Sequence, residues 1–216
     1  VREISIQDDC FNIDMNRAKK LCEMIIQNKL VIPWTLPNGI RADLIDDELI
    51  TLMKKSGMYR TAVGVETGNQ LVMDDLGKNE KLEDIEKAFK ILKKRRIQTI
   101  AFFVMGNPKD DEKTLQETID FAKKLDPTFA QFTMATPFPG TRLYNELIKQ
   151  GGINISSWDD YSQFDQKGYF DYPHLKGDVI KSYVKKAYRD YYFRFRQIWK
   201  FLTLKDFYIK IPDYIA

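Results

Sequence analysis

The sequence has few of the residues that build metal centres and covalent crosslinks. Its 216 residues include two cysteines, Cys10 and Cys22, and one histidine, His174. Two thiols form neither a disulfide framework nor a four-cysteine metal site, and one histidine excludes a histidine-rich metal centre. A catalytic triad would depend on His174 alone, so we expect that residue to be non-catalytic. The low cysteine content indicates a reduced, cytoplasmic protein.

Several other sequence signals are absent. No apolar run reaches the roughly 18 residues that a membrane-spanning helix needs, and no signal peptide precedes the first strand-like stretch. The glycines fit neither a dinucleotide-binding loop nor a Walker loop, and no serine lies in a nucleophile elbow. The chain begins with Val1 rather than methionine, so we expect a fragment or a processed chain. A net charge of +3 is too small to indicate nucleic-acid binding by itself.

Strand-like and helical patterns alternate through the first two thirds of the chain. Several strand-like stretches are apolar at nearly every position, as in parallel strands covered by helices on both faces. The order of repeated βα units predicts an α/β fold. Both a doubly wound open sheet and part of a (β/α) barrel fit this order. The predicted strands are residues 4–6, 30–36, 61–65, 97–105 and 129–136, and the helical stripes between them begin near Asp14, Asp46, Leu82, Leu115 and Thr141.

Polar residues follow the predicted strands, where both architectures bind their ligands. Glu66 ends the third strand, and its carboxylate is suited to accept hydrogen bonds from a ribose or an ammonium group. A loop salt bridge is the competing interpretation. Arg41 follows the second strand and is suited to clamp a carboxylate in bidentate fashion. Its alternative is a surface ion pair with Asp43 or Asp46.

The first and fourth strand ends carry further candidates. Asp8 and Asp9 form either a charged pair at the rim or a helix-capping cluster. For one of these two residues, helix capping is the favoured interpretation. Gly106 indicates either a close approach of the backbone to a ligand or a plain turn.

Six short motifs together resemble the C-terminal part of the barrel of radical S-adenosylmethionine enzymes. Within that superfamily, the resemblance is closest to the group that carries an upstream cobalamin-binding domain. The motifs lie at residues 4–11, 39–44, 56–57, 63–68 (leading to Leu76-Gly77-Lys78), 104–108 and 137–144.

The resemblance implies a partial (β/α)₆ barrel with S-adenosylmethionine lying across the strand tops. By position in the family motifs, Arg41 and Glu66 would contact the methionine and ribose parts. The turn formed by Gly106, Asn107 and Pro108 would lie near the adenine. Asp9 would lie at the rim, facing the cofactor or the substrate.

The family's C-x-x-x-C-x-x-C motif, which binds a 4Fe–4S cluster, is absent from this chain. The resemblance therefore implies that the cluster ligands lie upstream, with cobalamin in a further upstream domain. The intact protein would cleave S-adenosylmethionine reductively and carry out hydrogen abstraction or methyl transfer on an unidentified substrate. The chain alone would be inactive without the upstream half.

The last part of the chain differs in character from the rest. Residues 158–216 contain 17 of the 28 aromatic residues, and residues 176–210 contain ten basic and three acidic residues. We expect a barrel over residues 1–157 and a helical extension over 158–216, with one long amphipathic helix over 178–202. Three interpretations remain open: packing over the barrel, a membrane-surface contact, or an RNA contact through 178–210. A second copy covering the open barrel edge is a further expectation.

Two different classes of function compete with the radical enzyme. One is a metal-dependent (β/α)-barrel hydrolase or lyase that holds a divalent ion with Asp8, Asp9, Glu66 and Asp110. The other is a non-enzymatic module that binds a membrane or RNA through the basic tail.

Overall fold

The computed structural model describes residues 1–153 and 170–203. Its sheet has five strands in the order β1-β2-β3-β4-β5, and every neighbouring pair is parallel. Doubly wound sheets reverse their strand order at a switch point, whereas barrel strands follow one another in chain order. The α/β partial-barrel prediction is therefore confirmed. The strands are β1 (Ile4–Ser5), β2 (Trp34–Ile40), β3 (Met58–Glu66), β4 (Gln98–Met105) and β5 (Phe129–Met134).

Helices follow the strands, and most begin at a side chain that caps the first turn. The predicted starts at Asp14, Asp46 and Thr141 are confirmed, since each side chain accepts a hydrogen bond from a backbone N–H in the first turn. Asn69 and Asp111 cap two further helices in the same way. The helices are α1 (Met15–Gln27), α2 (Asp47–Lys55), α3 (Gln70–Asp75), α4 (Leu82–Lys94), α5 (Glu112–Leu125), α6 (Arg142–Lys149), α7 (Gly177–Tyr192) and α8 (Phe195–Thr203).

The prediction for the second strand was wrong in its bounds. Residues 30–33 precede the strand, and β2 continues through Pro37-Asn38-Gly39, which the sequence pattern assigned to a loop. The pairing of β2 with β3 shifts register between Leu36 and Ile40, so this segment is a bulge within the strand. Gly39 has φ +102°, and a Cβ there would lie 2.9 Å from the Ala62 carbonyl oxygen. The bulge therefore requires glycine.

The sheet is covered on one side. Along β4, Ala101, Phe103 and Met105 are buried beneath the helices, whereas Ile100, Phe102 and Val104 are only half-buried on the inner face. This alternation is the two-residue period of a strand with unlike faces. The open inner face makes the strand ends accessible from inside the half-barrel.

The predicted single tail helix is two helices. The α7 helix lies against β5 and α5 and buries Ile180, Val184, Ala187 and Tyr191, which supports the interpretation that the tail packs over the barrel. It ends at Tyr192, and α8 begins at Phe195. The predicted boundary between residues 157 and 158 lies outside the described residues. The membrane and RNA interpretations stay predictions.

Several cations near this break in the tail contact one buried carboxylate. The Asp126 carboxylate, whose side chain is 3% exposed, lies 3.0 Å from the cationic nitrogens of Lys93, Arg196 and Lys200, and 3.6 Å from Arg194. Asp126 ends α5 in the left-handed conformation, just before β5. We call these five residues the Asp126 cluster. It joins the tail to the bottom of the barrel, where the strands begin.

Tyrosine hydroxyls cover the free edge of β5. The Tyr192 hydroxyl accepts from the Ala130 N–H at 3.0 Å and donates to the Ala130 carbonyl at 2.8 Å. The Tyr188 hydroxyl accepts from the Phe132 N–H at 3.2 Å. These bonds supply partners that a sixth strand would otherwise provide. No helix within residues 1–153 and 170–203 is long and apolar enough to cross a membrane.

Candidate functional site

The end of β3 places Glu66 in an unusual backbone conformation. The pairing of β3 with β4 shifts register between Gly64 and Glu66, and Glu66 has φ +65°. A non-glycine residue in the left-handed region costs conformational energy, and such residues concentrate at functional sites. The bulge turns the Glu66 carboxylate back over Gly64, at the top of the inner face.

Lys78 holds this carboxylate. Its ammonium nitrogen donates to Glu66 Oε1 and to the Gly64 carbonyl oxygen, both at 3.0 Å. A Cβ on Gly64 would lie 2.9 Å from Glu66 Oε1 and 3.1 Å from Lys78 Nζ. A side chain at position 64 would therefore displace the ends of the Glu66 and Lys78 side chains from their present contact.

A third charged residue, Glu80, lies behind this pair. Its side chain is 2% exposed, and its Oε2 atom is buried with no hydrogen-bond partner among the residues that the structure describes. Oε2 lies 4.0 Å from Lys78 Nζ, and Oε1 lies 3.8 Å from the Arg41 guanidinium. Burial raises the pKa of the Glu80 carboxyl, although Lys78 and Arg41 oppose the shift. Gln70 fixes the segment by donating to the Glu80 carbonyl at 3.1 Å.

Arg41 forms the bidentate surface pair with Asp43 that the sequence offered as one alternative. Its Nε and Nη2 donate to the two Asp43 oxygens at 3.0 and 2.8 Å, and this pairing raises the pKa of Arg41. The buried Asn12 side chain binds the backbone N–H and carbonyl of Arg41, both at 2.9 Å. We call Arg41, Asp43, Glu66, Lys78 and Glu80 the rim cluster. It contains three carboxylates and two cations.

Hydrogen bonds between its own residues fix the conformation of the loop after β4. The buried Asp110 carboxylate accepts from the backbone N–H groups of Gly106 and Asn107, at 2.9 and 2.8 Å, and from Thr114. Burial raises the pKa of Asp110 despite these donors. The Asn107 amide donates to Val104 and Asp110, so both of its donors stay inside the loop.

The tail contacts the same loop. Gly106 has φ +88°, and a Cβ there would lie 3.0 Å from Ile180 of α7. The close approach at Gly106 therefore involves a residue of the tail rather than the ligand that the sequence analysis considered. The Tyr172 hydroxyl donates to the Gly106 carbonyl at 3.0 Å, and His174 Nε2 lies 3.1 Å from the Asp110 carbonyl oxygen. His174 therefore contacts the backbone of a loop rather than a catalytic partner.

A cavity of about 330 Å³ opens on the inner face next to these strand ends. Phe102 of its wall pairs with Gly64 in the β3–β4 ladder, so the cavity adjoins the strand that carries Glu66. Its lining combines aromatic surface with amide and hydroxyl groups. The lining residues are Phe102, Val104, Gln131, Thr133, Met134, Ala135, Thr136 and Phe138.

The structure does not assemble the predicted metal site. Asp8 pairs with Arg17 at 3.0 Å and caps the Cys10 N–H, while Asp9 lies exposed in the loop after β1. In the described parts of the chain, no three His, Cys, Asp or Glu residues are placed to hold a metal ion. The metal-dependent hydrolase or lyase therefore has no support from the geometry.

The sequence pattern did not identify two members of the rim cluster, Lys78 and Glu80, or the supporting Asn12. Lys78 lies in a family motif without an assigned role. Their signal is weak in one sequence, because Lys78 and Glu80 lie in a charged, loop-like stretch before α4. Only the fold brings that stretch against β2 and β3.

Comparison with known proteins identifies a family. The model of the radical SAM superfamily matches residues 13–122. The uncharacterized methyltransferase PH0819 of Pyrococcus horikoshii is 30% identical over 194 residues, covering 90% of this chain and 41% of that protein. The cytidylyl-2-hydroxyethylphosphonate methyltransferase of Streptomyces wedmorensis is 28% identical, covering 88% of this chain and 37% of that protein. The chain thus spans about two fifths of the length of these relatives.

Solved structures share the fold. The methyltransferase TsrM of Kitasatospora setae, solved with cobalamin and a 4Fe–4S cluster bound, aligns with a TM-score of 0.61 and 21% identity. That alignment covers 72% of this chain and 32% of TsrM. Coproporphyrinogen III oxidase of Escherichia coli aligns with a TM-score of 0.60 and 13% identity, covering 88% of this chain and 41% of that enzyme.

Proposed function

Because this chain belongs to the radical SAM superfamily, we propose that its rim cluster and inner face bind S-adenosylmethionine. The observation that carries the proposal is the position of Glu66. Its carboxylate is held in a strained bulge, is 23% exposed and adjoins the open inner face. A partly exposed acceptor beside an apolar and amide-lined cavity suits a nucleoside, which offers hydroxyl donors next to a planar base.

Each predicted site residue receives a specific part of the ligand. Glu66 accepts hydrogen bonds from the ribose hydroxyls. Arg41, once released from Asp43, binds the methionine carboxylate, which matches the guanidinium fork. The loop of Gly106, Asn107 and Pro108 lies near the adenine and contacts it through the half-buried Pro108, because the backbone groups of Gly106 and Asn107 are already bonded within the protein. Asp9 faces the cofactor or substrate from the loop after β1.

The iron–sulfur cluster does not fit the residues of this chain. Cys22 is fully buried in α1, where burial raises the pKa of its thiol, and Cys10 lies in the preceding loop. No group of metal-ligating side chains surrounds either one in the described residues. We therefore assign the cluster, and the cobalamin expected with it, to protein outside this chain.

For the intact protein we propose group transfer with methyl transfer as the first choice. When bound, the cluster and S-adenosylmethionine together supply the radical chemistry. Support comes from the methyltransferase names of two relatives that cover about nine tenths of this chain. Hydrogen abstraction is the alternative within the same superfamily.

Binding of S-adenosylhomocysteine by isothermal titration calorimetry tests the proposal. We expect the wild-type chain to bind, and Glu66→Gln to bind at least tenfold more weakly because a charged acceptor is lost. Glu83→Gln on the exposed side of α4 is the matched control and should bind like wild type.

A different result would favour the metal-dependent enzyme. Thermal stabilisation by Mg²⁺ or Mn²⁺, without any effect of S-adenosylhomocysteine, would contradict the proposal. Equal affinities of wild type and Glu66→Gln would remove the assigned role of Glu66.

A further inference from the structure

The rim cluster contains a buried carboxylate oxygen without a partner. Glu80 Oε2 accepts no hydrogen bond, although two cations lie within 4.0 Å of the Glu80 carboxylate. Leaving a buried polar atom unpaired costs free energy, and the cost grows when the group is charged. A residue with this cost in the ligand-free fold is expected to gain a compensating contact in another state of the site.

Lys78 connects this oxygen with the ligand side of the site. Its ammonium donates to Glu66 Oε1 at 3.0 Å and lies 4.0 Å from Glu80 Oε2. A shift of about 1 Å would bring it within hydrogen-bond distance of Glu80. The flexible four-carbon stem of lysine permits such a movement without a change in the backbone.

A ligand that donates hydrogen bonds to Glu66 weakens the attraction between the Glu66 carboxylate and the Lys78 ammonium. Hydroxyl donors on the Glu66 carboxylate compete with Lys78 for Oε1, the one Glu66 atom to which the ammonium donates. Arg41 does not replace Lys78 at Glu80, because its guanidinium pairs with Asp43 before binding and with the ligand carboxylate in the proposed complex. Glu80 is then the nearest unsatisfied acceptor for the Lys78 ammonium.

We propose that Glu80 is a positioning residue that accepts the Lys78 ammonium when nucleoside hydroxyls donate to Glu66. The inference rests on the proposed function, because it requires a hydroxyl-bearing ligand at Glu66. Lys78 alternates between the carboxylates of Glu66 and Glu80. It therefore covers the Glu66 carboxylate before the ligand binds and leaves it accessible once the ligand has bound.

The exchange has a consequence for protons. Glu80 faces the cations Lys78 and Arg41 and the carboxylates Asp43 and Glu66. Bringing Lys78 into contact with Glu80 favours the ionised carboxylate. Binding at mildly acidic pH therefore releases a proton from Glu80 to the solvent.

The test compares Glu80→Gln with the control Glu83→Gln in the same chain. For Glu80→Gln we expect about tenfold weaker binding of S-adenosylhomocysteine, because the amide is a poorer acceptor for Lys78. We also expect its Tm without ligand at pH 7 to rise by about 2–4 °C, because a buried charge has been removed. A residue with a structural role only would lower the Tm. Glu83→Gln should change neither quantity.

Calorimetry of the wild-type chain adds a measurement that needs no variant. Titrating S-adenosylhomocysteine at about pH 5 in buffers of different ionisation enthalpy should reveal proton release. Unchanged affinity of Glu80→Gln, a lower Tm, or binding without proton release would each overturn the role of Glu80. If neither wild type nor Glu83→Gln binds the ligand, the proposed function itself is wrong and this inference falls with it.

Discussion

The two charged clusters of this barrel have opposite compositions. The rim cluster at the strand ends has three carboxylates and two cations, and one buried oxygen lacks a partner. The Asp126 cluster at the strand starts has one carboxylate and four cations, and both Asp126 oxygens are engaged. Its buried atom without a hydrogen bond among the described residues is a donor, Arg194 Nη2. The charges of the Asp126 cluster hold the tail in place, whereas the carboxylates of the rim cluster remain available to a ligand. The same division between a stabilising bottom face and a functional top face is general in (β/α) barrels.

The largest effect on stability should come from Asp126→Asn. Asparagine tolerates the left-handed backbone of this position, where φ is +52°, so the change removes mainly the charge. The buried Asp126 also compensates the largely buried cations Arg194 and Lys200, so we expect a loss of about 3 kcal/mol in the free energy of unfolding. Urea denaturation measures it. A loss below about 1 kcal/mol would show that the bottom cluster is no more structural than a surface pair.

Tyr192→Phe should have the next largest effect. The hydroxyl bonds both the N–H and the carbonyl of Ala130 on the edge strand. Leaving those groups unpaired should cost about 2 kcal/mol, again measured by urea denaturation. Tyr183→Phe is the control, because that hydroxyl lies on the exposed side of α7 and bonds only Glu112. Equal losses for the two variants would contradict the edge role.

The clusters should respond to pH in opposite directions. Burial opposes ionisation of Asp126, but Lys200 and Lys93 outweigh it and lower its pKa. Its stabilising contribution is therefore present above the unfolded-state pKa of about 3.9 and is lost as the pH falls through the lower folded pKa.

For Glu80, burial raises the folded pKa. Its ionisation therefore costs stability, and that cost grows as the pH rises from about 4.3 through the higher folded pKa. The advantage of Glu80→Gln over wild type should be present at pH 7 and vanish below about pH 4. Thermal melts at a series of pH values test both statements, and parallel curves for wild type and Glu80→Gln would refute the second.

The smallest effect should come from Asp43→Asn. Arg41 and Asp43 are 35% and 26% exposed, so solvent weakens their attraction and we expect a loss below about 1 kcal/mol. The variant should instead strengthen binding of S-adenosylhomocysteine severalfold, since the guanidinium becomes available to a carboxylate. Weaker binding would show that Asp43 orients Arg41 rather than competing for it.

Local signals were sufficient for much of the fold. Asp14, Asp46 and Thr141 cap the helices that the apolar stripes predicted, because capping depends on residues three apart. The repeated βα units predicted parallel strands but fitted both a doubly wound sheet and a barrel, and the family resemblance implied the barrel. Position 39 escaped prediction because its bulge depends on the Ala62 carbonyl in the next strand.

The site was less accessible from the sequence. Glu66 and Arg41 follow strands and were recognisable, but Lys78 and Glu80 act through the tertiary contact of a loop with two strands. The break in the tail likewise depends on Asp126, which is 68 residues before Arg194 in the chain. Contacts between residues so far apart in sequence leave no periodic signal.

The tyrosine hydroxyls on β5 also determine how copies of this protein can associate. An uncovered edge strand is a template for edge-to-edge polymerisation, but Tyr188 and Tyr192 already bond the N–H and carbonyl of Ala130 and the N–H of Phe132 on this edge. A second chain can extend the sheet at β5 only after α7 has detached. Conditions that loosen the tail should therefore promote aggregation before the barrel itself unfolds.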